Sequence, residues 1–391
     1  MKHSKSFAEF FAGIGLMRIG LERAGWRVAF ANDIDPVKES IYQAHFNDTD
    51  EHFLLGDIHQ VDAGIIPKVS LATASFPCTD LSLAGRREGL SGKHSSAFWG
   101  FVNVLEDMED SRPPIVLLEN VEGFLTSNKG QDFKVALIAL NNLGYSVDAF
   151  VIDAVRFVPQ SRVRLFVVGS RLPTKPMEVN ESQLSLFYGS NLRPKKLIDF
   201  ILNNTNIQWS IRELPSLPKS TTHLSEIIED IPEDSKSWWN EDRVQYLLNQ
   251  TFDRHRVLIE VAKTGNEYTY FTAFRREREG RSMAEIRSDG IAGCLRTPKG
   301  GSARQILLCV GKGQIKIRLL SPRECARLMG ADDYAISGNI NQALFGFGDA
   351  VCVPVVTWIA ENYLNPLLLE IQNMKPQFSI KYEPATVIEG F

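Results

Sequence analysis

Short apolar runs alternate with amphipathic stretches through the first 170 or so residues of the chain. Continuous apolar runs of this length, bounded by turn residues, read as buried strands, and 3.6-residue spacing reads as helices. The pattern predicts strands over Ser6–Phe11, Arg27–Ala31, Phe53–Leu55, Val69–Ser75, Ile115–Leu118, Tyr145–Asp153 and Arg164–Gly169. Helices are predicted over Leu16–Ala24, Pro36–His45, Ser95–Met108 and Asp132–Leu143. A βαβα rhythm of this kind argues an α/β fold with a doubly wound, mostly parallel sheet. Functional groups then belong in the loops after the carboxyl ends of the strands.

From about Pro173 the rhythm fades and Asn, Ser, Lys and Pro become frequent. Residues 173–340 are expected to form a second, smaller and less regular domain. The apolar, helical pattern of Gly346–Leu364 returns to the first domain, which comprises 1–172 plus 341–391. With 391 residues and 44% hydrophobic content, both units can bury a core. No apolar run approaches the length of a membrane span and no signal-type segment follows Met1, so a cytoplasmic protein without membrane contact is expected. Net charge is -4, so any nucleic-acid surface must be a local basic patch. The most basic stretch is Phe271–Arg304, with eight Arg or Lys against four Asp or Glu.

Five cysteines occur, with no CxxC pair and no histidine at zinc-type spacing. No metal is expected. Cys294, Cys309, Cys325 and Cys352 read as small buried hydrophobes. Cys78 does not: it follows Pro77 at a strand end, with Thr79, Asp80 and Ser82 behind it.

Phe11, Gly13, Gly15 and Leu16 follow the first strand and open a helix, where glycine lets the backbone turn sharply and approach a ligand. Asp33 ends the second strand, where a carboxylate accepts ribose hydroxyls, and Asp57 follows the third, placed for an adenine amino group. Together they favour an adenosine-containing cofactor. The glycine set lacks a complete pyrophosphate cradle, which favours S-adenosyl-L-methionine over NAD.

Cys78, Glu119 with Asn120, and Arg162 with Arg164 follow in that order, with Gln160 just ahead of the arginines. A thiolate can add to an electron-poor ring, a carboxylic acid can hold a proton on a ring nitrogen, and a guanidinium can face a ring oxygen that gains charge. This ordered set resembles the cytosine-C5 DNA methyltransferases of bacterial or phage modification type, over nearly the whole chain. The resemblance implies a Rossmann-like methyltransferase domain with a smaller, irregular target-recognition domain, S-adenosyl-L-methionine as methyl donor and double-stranded DNA as substrate. It implies Cys78 as nucleophile at cytosine C6, Glu119 at N3 and Arg164 at O2, with Asn120 fixing the loop around Pro77-Cys78 and Arg162 supporting that loop or neutralising nearby charge. It places Phe11, Gly13, Gly15, Leu16, Asp33, Ile34, Asp57, Ile58, Pro77, Asp349, Ala350 and Val351 around the cofactor, the last three in a motif that closes over its methionine part. Three departures stand out. Thr79 replaces the usual Gln after the cysteine, Asp349 replaces the usual Asn, and Cys294-Leu295 stands near where a Thr-Leu pair is typical.

DNA contacts are expected from Ser82 and Arg86, in a loop over Ser82–Ser96 that would close on an extruded base, and from Arg275, Arg276, Arg278, Arg296, Lys299 and Arg304. The expected state is a monomer, with a cognate restriction endonuclease as a companion. The rival readings are a tRNA cytosine-C5 methyltransferase, whose Cys-Phe-Thr element is not found in this chain, a dinucleotide-dependent oxidoreductase, and a catalytically silent DNA-binding relative.

Overall fold

The computed structural model describes residues 4–77, 96–172, 180, 184, 190–278, 280–297, 304–337 and 339–374. Its larger sheet holds β1 (Ser6–Phe10), β2 (Arg27–Asp33), β3 (Phe53–Leu55), β4 (Leu71–Ala74), β5 (Ile115–Val121), β6 (Ser146–Asp153) and β7 (Val163–Ser170). The strand order is β3-β2-β1-β4-β5-β7-β6. β1 to β5 run parallel, while β7 is antiparallel to both β5 and β6. The order of winding reverses between β1 and β4, which opens a crevice at their carboxyl ends.

β1 is buried along its whole length, as expected of a strand covered on both faces. On one face lie α1 (Leu16–Arg23), α2 (Pro36–His45) and the C-terminal helices, through Met17, Ile41, Tyr42, Val356 and Leu364. On the other lie α3 (Ser96–Asp107) and α4 (Gln131–Asn142), through Phe98, Phe101, Phe133 and Leu137. Asp35 caps α2, accepting a hydrogen bond from the Val37 N–H, with Pro36 at the first position.

Residues 190–212 also pack on this sheet. Val147 of β6 donates to the Gln208 carbonyl at 2.9 Å and accepts from Ser210 at 2.8 Å. Helix α5 (Lys195–Leu202) and Trp209 join the core beside α4. Arg193 donates to both oxygens of Asp148 at 2.9 Å, and the Tyr363 hydroxyl donates to the same carboxylate at 3.1 Å.

Helix α6 (Leu224–Ile227) buries Leu224 and Ile227 in the same core as Phe166 and Leu328. The smaller unit contains α7 (Glu241–Asn249), α8 (Asp253–Lys263) and the strands β8 (Thr269–Arg278), β9 (Arg281–Arg287), β10 (Ile306–Gly311) and β11 (Gln314–Leu319). The sheet order is β11-β10-β8-β9, antiparallel throughout. Val244, Leu247 and Ile259 of the helices share a core with Phe271, Ala273, Ala284 and Ile317 of the strands.

The chain returns to the larger sheet through α9 (Pro322–Leu328), α10 (Ile340–Asp349), α11 (Val353–Ile359) and α12 (Asn365–Asn373). Ser321 and Glu324 form a capping box at α9, as their spacing predicts. The stretch Ile340–Asn373 is apolar enough by length and composition for a membrane span, which the sequence reading missed. Its helices break at extended Ala350, restart at Val353 and bury most of their apolar side chains in the core. They pack as core helices.

Candidate active site

The Gln160–Arg164 segment precedes and enters its strand, whereas Pro77-Cys78 and Glu119-Asn120 lie at the ends of theirs. The antiparallel course of β7 resolves this. Its first residues lie beside the last residues of β5, with Arg164 opposite Val121 and Phe166 opposite Glu119. Both arginines therefore start from the same rim as Pro77 and Glu119.

Arg164 Nε meets Glu119 Oε1 at 2.9 Å, and both side chains are largely buried. Burial pushes the Glu119 carboxyl above its ordinary value, outweighing the opposite pull of Arg164 and Arg162. A buried acid disposed to hold its proton suits donation to a ring nitrogen. The Asn120 amide donates to the Phe76 carbonyl at 3.3 Å and accepts from the Val121 N–H at 2.8 Å. The first bond ties the end of β5 to the segment after β4, which runs Phe76-Pro77 toward Cys78, and the second orients the amide. Cys78 itself lies outside the described residues, as do Ser82, Arg86 and the rest of the expected closing loop up to residue 95.

Arg162 is only 2% exposed. Its guanidinium donates to the carbonyls of Leu295 at 3.0 Å, Gly348 at 3.2 Å and Ala350. Gln160 donates to the Leu328 carbonyl at 2.7 Å and accepts from the Leu295 N–H at 3.0 Å. These two side chains join β7, the segment before β10 and the C-terminal helices. Gly348 fits this junction because a Cβ there would lie 2.6 Å from the backbone of Arg296 and Thr297.

Cys294 departs from its reading as an inert core thiol. Its sulfur accepts from Arg162 at 3.4 Å. Burial alone would raise it, but Arg162 and Arg164 outweigh that and hold the thiol below its usual range. Cys309 and Cys352 fit the inert reading, with burial pushing them up to about 11 and about 12.

The expected cofactor residues sit at or after the carboxyl ends of β1, β2, β3 and β4 and at the end of α10. Phe11, Gly13 and Gly15 all have positive φ. A Cβ on Gly15 would lie 2.5 Å from Phe46 and 2.8 Å from Tyr42, so only glycine closes this turn against α2. The Gly13 N–H donates to Asp33 Oδ2 at 2.8 Å and the Asp35 N–H to Oδ1 at 2.9 Å. Each oxygen keeps a further lone pair for a hydroxyl. Ile34, 65% exposed, stands next to Asp33 as an apolar surface for a ring. Asp57 is half-buried and caps a short turn, accepting from the His59 N–H at 3.0 Å. Ile58 and Leu16 are buried in the core, and Ile58 packs against Gly100. At the far end, Ala350 gives its carbonyl to Arg162, Val351 is buried, and Asp349 accepts from the Thr297 hydroxyl and pairs with Lys38. A glycine turn, a carboxylate pre-oriented by two backbone N–H groups and an exposed apolar residue fit a nucleoside. Beneath the turn, Glu9 of β1 is buried, and burial pushes its carboxyl up to about 8 against the pull of Arg18. Glu9 and Lys38 were not singled out in the sequence: one lies inside an apolar strand and the other looks like an ordinary helix surface residue.

The family model of the C-5 cytosine-specific DNA methylases matches residues 5–365. The chain belongs to this family. It is 29% identical over 366 residues to the type II methyltransferase M.DsaV of Dactylococcopsis salina, covering 93% of this chain and 87% of that one. It is 26% identical to the type II methyltransferase M.HhaI of Haemophilus parahaemolyticus, covering 95% and 96%. In fold it is similar to the S. pombe Dnmt2 methyltransferase, with a TM-score of 0.59, 18% identity and 94% and 99% coverage. It is likewise similar to the Entamoeba histolytica methyltransferase EhMeth, with a TM-score of 0.62, 14% identity and 96% and 100% coverage.

The cations of this methylase that were expected to meet DNA divide by strand alternation. Arg275 shares the β8 face of Ala273, toward the helices, and lies 5.9 Å from the Trp239 ring and 5.7 Å from that of Tyr246. Arg276 is on the opposite face, exposed, 3.8 Å from Glu285. Thr272 on that second face bonds the Ile291 carbonyl at 3.1 Å, and the adjoining Ala292 bridges to Gln160. The face bearing Arg276 is therefore the one that meets the catalytic unit at its base. Arg278 ends β8 opposite Arg281; its side chain, and the whole of Lys299, lie outside the described residues. Arg296 is exposed, and Arg304 donates to Asn341. Among the described residues no three His, Cys, Asp or Glu side chains converge as a metal site.

Proposed function

We propose that the protein transfers a methyl group from S-adenosyl-L-methionine to C5 of a cytosine flipped out of a specific duplex DNA sequence, through a covalent bond between Cys78 and C6. The observation that carries this reading is the buried Glu119–Arg164 pair at 2.9 Å, held beside the Phe76-Pro77 strand end by Asn120.

The target ring lies inside a base stack, so it must leave the duplex before any side chain reaches it. The Cys78 thiolate adds to C6 while Glu119 holds a proton on N3 and the Arg164 guanidinium faces O2. C5 then has enamine character and takes the methyl group, which the sulfonium of the donor supplies. Loss of the C5 proton to a base and expulsion of the Cys78 thiolate restore the ring. Asp33 would hold the donor's ribose, Asp57 its adenine, and the turn over Phe11–Leu16 its backbone-facing edge. Arg162 and Gln160 would keep the reading unit and the catalytic unit in register.

In this account residues 1–172 and 341–391 bind cofactor and do the chemistry, with the packed segment 190–212 as part of their scaffold. The remainder of 173–340 reads sequence, with Arg276 and Arg296 toward DNA. The type II character of the relatives supports a modification role beside a restriction endonuclease of the same system, carried out by a monomer.

A pool of duplexes carrying 5-fluorocytosine in place of cytosine tests the adduct, because C5 then has no proton to lose. With S-adenosyl-L-methionine present, the native chain should form a complex that survives denaturation. C78A should form none while still binding S-adenosylhomocysteine. An adduct of equal yield with C78A would refute Cys78 as the nucleophile.

A further inference from the structure

Several cations of the smaller unit have a carboxylate partner. Arg276, Arg287, Lys312 and Lys316 pair with Glu285, Asp289, Glu267 and Glu233. Arg243 of α7 and Arg275 of β8 differ. Among the described residues neither pairs with an acid, and both lie over the Trp239 ring, Arg243 at 3.9 Å and Arg275 at 5.9 Å from its centroid. Arg275 is also 5.7 Å from the Tyr246 ring, a side chain 58% exposed.

The platform under the two guanidiniums is fixed. The Trp239 backbone N–H donates to the Ile317 carbonyl of β11 at 2.8 Å, and the indole packs on the core of the unit. Asn240 caps α7 by accepting from the Arg243 N–H at 3.1 Å, which sets Arg243 in the first turn. A guanidinium stacked on a ring keeps its N–H edge free, and its fork matches the oxygens of a phosphate. Two such groups side by side repel one another. Burial and then the charge of Arg275 hold Arg243 below its usual range, and the buried Arg275 Nε has no hydrogen-bond partner among the described residues. An anion shared by the pair relieves the repulsion.

Arg275 and Arg276 alternate along β8 and so leave the ribbon on opposite faces. The Arg276 face is the one joined to the catalytic unit through Ala292 and Gln160, so Arg275 is on the face turned from that unit. We infer that Arg243 and Arg275 clamp one backbone phosphate of duplex DNA flanking the bases that are read, with Trp239 and Tyr246 as their platform. This rests on the reading of duplex DNA as the substrate and adds a contact that carries no sequence information. The alternative is a latch that only ties α7 to β8.

Binding of a mixed-sequence duplex of about 30 base pairs, about three helical turns, measured across a range of salt without methyl donor, separates the two. R243Q should weaken binding about tenfold, as loss of a charged hydrogen bond does, and lower the salt slope by about one. R243K keeps the charge and should keep the slope. R254Q removes another exposed arginine of the same unit and should leave affinity and slope unchanged. R243Q no weaker than R254Q, or R243K losing as much slope as R243Q, would overturn the clamp. No duplex binding by the native chain would remove the DNA reading itself, and the clamp with it.

Discussion

Arg162 is the residue whose loss the structure costs most clearly. Its guanidinium serves the carbonyls of Leu295, Gly348 and Ala350, which come from two separate segments of the chain. R162M keeps the length and apolar stem but removes the fork. The three carbonyls lose a buried donor, and an abandoned polar group costs about 1–3 kcal/mol, less for a carbonyl with a second partner. Breaking a buried charged network typically costs about 3–5 kcal/mol in sum. For a chain of this size the unfolding entropy converts that into a fall in Tm of about 4–6 °C. Scanning calorimetry of wild type and R162M, with exposed R276A as control, reads the difference. The control should stay within about 1 °C, as surface changes do. A fall in R162M no larger than that of the control would refute the view that Arg162 joins the two units.

Two further outcomes follow from the same geometry. E119Q should slow single-turnover methylation about 10²–10⁴-fold, the usual share of a general acid. Because burial raises the Glu119 carboxyl, its acid form persists to higher pH than in water and is lost as pH rises further, so the wild-type rate should fall on the alkaline side and E119Q should lack that limb. R276A should weaken binding to cognate and scrambled duplexes alike and lower the salt slope by about one; unchanged affinity at two salt concentrations would turn that face of β8 away from DNA.

Much of the catalytic unit was legible because its signals are local. Buried parallel strands read as apolar runs, and Asp35-Pro36 and Ser321-Pro322 announce helix starts within four residues. The missing parts depend on distant partners. Arg162 and Arg164 alternate like ordinary surface charge, and only the reversed direction of β7 brings them to the rim occupied by Glu119. Cys294 looks like a small core residue until Arg162 lies against it, 132 positions away in sequence. The β8–β9 ribbon was harder still. Arg275, Arg276, Glu277 and Arg278 give no period-two apolar signal, because the buried residues of the ribbon, Phe271, Ala273, Ala284 and Ile286, stop short of its tip. The chain forms a hairpin there. Lys38 and Asp349 lie more than three hundred positions apart, and the spacing of neither suggests the other.

The central claim is cytosine-5 methylation of DNA at a defined sequence. It is tested most directly by methylation-sensitive sequencing of DNA and tRNA from cells expressing the native chain or C78A. The account predicts 5-methylcytosine at nearly every copy of one short DNA sequence with the native chain and none above background with C78A. No new 5-methylcytosine in DNA, or new marks confined to tRNA, would contradict it.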